Sequence, residues 1–69
     1  MVKKVFTVKA TLVVWATHDR IGSGKPQRFV FTFLGEDVDE ARNKALSKVT
    51  QMKAYGCHIM RRTTTLVQL

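Results

Sequence analysis

From Val5 to about Thr17 the chain alternates with a period of two, and no other feature limits its fold as strongly. Phe6, Val8, Ala10, Leu12, Val14 and Ala16 fall on one side; Val5, Thr7, Lys9, Thr11, Val13, Trp15 and Thr17 fall on the other. Successive side chains of a strand point to opposite faces, and β-branched residues suit a pleated surface. The alternation predicts one long strand with its even-numbered face inward. His18 to Gln27 holds Gly22, Ser23, Gly24 and Pro26, which is turn chemistry. Arg28 to Leu34 then alternates again, with Phe29, Phe31 and Phe33 on one face and Arg28, Val30 and Thr32 on the other. The phenylalanine side is the expected core side.

The period changes after Gly35. Val38, Ala41, Ala45, Val49 and Met52 recur at helical spacing, with Leu46 beside them. Asp37 fits the N-cap position, and Glu40 three residues on completes a capping box. Acids fill the first turn, and Lys44, Lys48 and Lys53 lie toward the far end, as the helix dipole favours. Gly56 is the expected stop. Cys57 to Leu69 reads as a last strand of ambiguous phase: Ile59, Val67 and Leu69 favour the odd face inward, Met60 and Leu66 the even one. The expected fold class is α+β, a single small ββαβ domain over residues 1–69. Its strands run over about 5–17, 28–34 and 57–69 and its helix over about 38–55. Two strands joined by a loop pair as an antiparallel hairpin, and the helix crosses to the third. The result is a three-stranded antiparallel or mixed sheet, order 2-1-3, with one helix on one face. The pattern over Arg28 to Leu69 resembles that of many small β-β-α-β modules, some ribosomal and some phage-encoded.

One helix covers one face, so the other face is bare. It is expected to carry Lys9, Thr11, Val13, Trp15, Arg28, Val30 and Thr32, joined by Arg62 and Thr64 if the last strand turns its odd residues inward. Such a face has three uses. It serves as a single-strand nucleic-acid platform on which an aromatic stacks a base while Arg and Lys take phosphates. It serves as a dimer or partner interface with Trp15 as its hot spot. Or Trp15 simply folds over the sheet edge against the hairpin loop.

Charge narrows the choice. The 69 residues carry twelve bases and five acids, a net charge of +7. Four of the acids, Glu36, Asp37, Asp39 and Glu40, belong to the helix start, and only Asp19 lies elsewhere. What remains is a cationic surface suited to a polyanion or an acidic protein. The long hairpin loop adds Arg20 and Lys25 beside Arg28, placed either to contact phosphates or merely to be solvated. Its Gly22-Ser23-Gly24-Lys25 lacks phosphate-loop spacing and sits between two strands, which excludes nucleotide binding of that kind. Arg61 and Arg62 are adjacent on a strand, so they cannot share a face.

Catalysis finds no constellation. Cys57 and His58 face opposite ways on a strand and make no dyad, and the histidines and cysteine match no zinc spacing. No cofactor, metal site or catalytic residue is expected. The single cysteine suits a reducing compartment, no apolar run reaches membrane-spanning length, and the basic N-terminus lacks a continuous apolar stretch, so a cytoplasmic protein is expected. A chain this short buries a thin core, which also makes a homodimer plausible. The leading expectation is a non-catalytic nucleic-acid-binding accessory protein contacting its ligand through Lys9, Trp15, Arg20, Lys25, Arg28 and Arg62. The alternative is a protein-binding regulator or inhibitor, of the phage-encoded kind, that masks an acidic or DNA-binding surface of a larger enzyme.

Overall fold

The computed structural model describes residues 7–69. Strand β1 spans Val8–Thr17, β2 spans Gln27–Gly35, helix α1 spans Val38–Ala54 and β3 spans His58–Gln68. The sheet order is β2-β1-β3, and both neighbours run antiparallel to β1. The predicted α+β fold and strand order are therefore present. Val5 and Phe6, expected in the first strand, lie outside the described residues.

The even face of β1 is the core face. Val8, Ala10, Leu12, Val14 and Ala16 are all buried, and α1 lays Ala41, Ala45, Val49 and Met52 on them. Small residues on the helix allow close approach. A Cβ on Gly35 would lie 2.6 Å from the backbone nitrogen of Ala41, so only glycine leaves room for the helix start there. Phe29, Phe31 and Phe33 flank this core without being sealed inside it. The Phe29 and Phe31 rings are stacked 6.5 Å apart, and the Lys48 ammonium lies 4.7 Å from the Phe31 centroid. Val38 and Leu46 fit the helical spacing loosely and are about two-fifths exposed. Leu46 is one residue past buried Ala45, and one residue is about 100° around a helix.

Both helix ends are built from local chemistry. Asp37 has extended backbone and its Oδ1 accepts from the Glu40 amide at 2.8 Å, the N-cap bond expected from the sequence. The Glu40 carboxylate lies 3.4 Å from Lys44 one turn on. At the far end the Gly56 amide donates to Lys53 and the Cys57 amide to Met52, a Schellman closure. It requires the φ of +90° that Gly56 adopts.

The ambiguous phase of the last strand has a physical cause. Trp15 pairs with Arg61 but Ala16 pairs with Ile59, so Met60 is an extra residue in a β-bulge. The bulge reverses the parity of β3. Ile59, before it, and Arg62, Thr64 and Leu66, after it, all share the helix side of the sheet. Of the contradictory signals, Ile59 before the bulge and Leu66 after it face the helix side, whereas Met60 is the bulge residue and Val67 and Leu69 are exposed.

Candidate nucleic-acid interface

The face opposite the helix is built in rows. Three strands in register place Arg28, Trp15 and Arg61 side by side, then Val30, Val13 and Thr63, then Thr32, Thr11 and Thr65, then Leu34, Lys9 and Val67. Side chains directly opposite on neighbouring strands have Cβ atoms about 5 Å apart. The indole of Trp15 thus stands on the central strand between two guanidinium-bearing side chains. Trp15 is 40% exposed and Val30 50%. Trp15 lies on the central strand, with a neighbouring strand on each side. Lys9 stands two rows beyond Val13 between Leu34 and Val67, where its stem has apolar neighbours and its ammonium reaches water.

None of the positions in these four rows is acidic. Asp37 caps the helix, Glu40 meets Lys44, and the Asp19 carboxylate is turned into its own loop. Among the described residues, no ion pair engages Arg28, Arg61 or Lys9. The row of one aromatic and two arginines is therefore free to meet an anion.

Three of the expected contacts lie on this face: Lys9, Trp15 and Arg28. Arg62 does not. The bulge at Met60 pairs it with Val14 on the helix side, and Arg61 takes the place beside Trp15. The sequence left the register of β3 open, and with it the choice between Arg61 and Arg62; Arg62 was the expected contact because β3 was treated as a strand of uniform parity with its odd residues inward. The clash between Ile59 and Leu66 was the available sign of a bulge.

Arg20 and Lys25 belong to the loop beyond the sheet. That loop is organised by Asp19, whose carboxylate accepts from Ser23 Oγ at 2.7 Å, the Ser23 amide at 3.0 Å and the Gly24 amide at 2.9 Å. The Ser23 hydroxyl does most to hold the Asp19 pKa below its ordinary value; desolvation opposes it next, and the Ser23, Gly22 and Gly24 amides add smaller lowering effects. The Thr17 hydroxyl donates to the Asp19 carbonyl at 3.1 Å. The Arg20 side chain runs past Gly56, with its Nε 3.3 Å from where a Cβ would stand. Gly22 likewise abuts the His58 ring. Arg20 is thus beside the C-terminal turn of α1 rather than in the Trp15 row, and Lys25 is exposed in the loop.

Cys57 is partly buried against the core, whereas neighbouring His58 is exposed and pairs with Thr17. Among the described residues no three His, Cys, Asp or Glu side chains gather as a metal site, and no helix is long and apolar enough to cross a membrane. No family model, curated protein or solved structure matches this chain.

Proposed function

We propose that this protein is a non-catalytic, cytoplasmic module that binds single-stranded nucleic acid on its bare sheet face. The observation that carries the reading is the Arg28-Trp15-Arg61 row. An exposed indole offers a π-surface to any base, and a guanidinium on each side offers forked donors to the phosphates that flank it. The Val13 and Val30 row extends the apolar floor. The threonine row beyond it supplies hydroxyls, and Lys9 supplies a further cation. A double helix keeps its bases stacked inside, so a flat face with one aromatic suits a single strand better.

Anisotropy of a labelled ten-nucleotide oligo(dT), compared with a duplex of equal length, tests this. The single strand is expected to bind more tightly, and Trp15→Ala to weaken it by about 1–3 kcal/mol, the usual worth of one base stacked on an aromatic. Equal affinity in wild type and Trp15→Ala would remove the stacking role.

The exposed Leu34 and Val67 beside Lys9 favour a second reading, a regulator that docks this face on an acidic protein. In that case, oligonucleotides bind no better than a polysulfate of equal charge, and the cognate complex survives high salt.

A further inference from the structure

Arg62 and Lys53 are not used by the bare face, yet they meet. A groove of about 260 Å³ runs between the C-terminal half of α1 and β3, lined by Val49, Lys53, Ile59, Met60, Arg61 and Arg62. Three of its six lining residues are cations and none is an acid. Among the described residues neither Lys53 nor Arg62 has an ion-pair partner. The carbonyls at this helix end would ordinarily draw a cation. Here the Schellman closure gives the Gln51, Met52 and Lys53 carbonyls backbone donors, which leaves the Lys53 ammonium available to a ligand.

The position of Arg61 joins this groove to the bare face. It stands beside Trp15 in the ladder and also lines the groove. Among the described residues β3 is an edge strand with no partner beyond it, so no described strand separates the two surfaces on that side. Strand alternation puts the consecutive arginines astride this edge, and the bulge at Met60 sets which faces which way, Arg61 toward the Trp15 surface and Arg62 toward the helix side. We propose that the groove is a second phosphate site, and that a single strand seated on the Trp15 row passes over the β3 edge into it. The proposal rests on the bare-face reading. Lys53 and Arg62 take one phosphate group, and the apolar floor of Val49 and Ile59 lies under the adjoining sugar.

The test is the salt dependence of affinity for ten-nucleotide oligo(dT), read from Trp15 fluorescence. Each phosphate contact on a single strand contributes roughly 0.7 to the slope of log K against log salt. Lys53→Gln and Arg62→Gln are each expected to lower the slope by about 0.7 and to leave the saturating quench of Trp15 unchanged. Arg42→Gln removes an equal charge from an exposed helix position and is expected to leave the slope alone. Quenching with unaltered slopes in Lys53→Gln and Arg62→Gln overturns the groove but not the bare face. An equal fall in Arg42→Gln also overturns it, because net charge alone then explains the effect. Binding that does not perturb Trp15, or no binding at all, overturns the bare-face reading and the continuation with it.

Discussion

Asp19 shows how one side chain decides where charge is presented. It is the only acid outside the helix start, and it sits in a loop that also carries Arg20 and Lys25. Its carboxylate does not neutralise them but folds the loop, taking three donors from Ser23 and Gly24. These bonds favour the ionised form, so the folded pKa is lowered. The sign follows directly. A carboxyl with a lowered folded pKa adds its full stabilisation above its unfolded value and loses it as pH falls through the folded one. Amide shifts of Ser23 and Gly24, followed by NMR on acidification, should therefore titrate below the ordinary aspartate midpoint, and Asp19→Ala should speed exchange of both amides. A midpoint at or above the ordinary value would mean that the loop is not closed by this carboxylate. Trp15 makes the complementary point. An indole on the central strand has neighbours on both sides, and here both are arginines.

At the scale of the elements, most of the fold was legible because local and global signals agree. The alternation in β1, the Asp37 cap and the Gly56 stop each name their position. Two things were not legible. Helix burial is narrower than the periodicity suggests, since Ala41, Ala45, Val49 and Met52 fill the contact and Leu46 turns outward. The parity of β3 was hidden because a bulge leaves no residue-type mark. It shows only as apolar residues of opposite parity, Ile59 and Leu66. The site suffered from the same gap, which exchanged Arg61 for Arg62. Deleting Met60 tests the bulge. With the extra residue gone, Ile59 and Arg61 become neighbours and still pair with Ala16 and Trp15, so Ile59 and Leu66 both stay on the helix side of a regular strand. The urea midpoint should therefore change little, whereas a loss of about 1–3 kcal/mol, the worth of a side chain driven from the core, would mean that Met60 is an ordinary ladder residue and would contradict the register. Asp37→Ala should cost about 1 kcal/mol in the same assay through loss of the bond to the Glu40 amide.

Over the whole molecule, charge is distributed by face. The acids cluster where α1 begins and at the loop, where Asp37, Glu40 and Asp19 have structural partners, while the sheet face opposite the helix carries Lys9, Arg28 and Arg61 without an acid. A net charge of +7 would give any cationic protein some attraction to nucleic acid, but that attraction depends little on where the charge sits. Positioned contacts differ, because each releases counterions at a defined place. The most direct measurement is a titration of Trp15 fluorescence with ten-nucleotide oligo(dT) at several salt concentrations, in the wild-type protein and in Arg28→Gln/Arg61→Gln. We predict saturable quenching in the wild type and a slope of log K against log salt smaller by about 1.4 in the variant, the share of two phosphates on a single strand. An absence of quenching, or a variant whose slope equals that of the wild type, would contradict the placement of nucleic acid on this face.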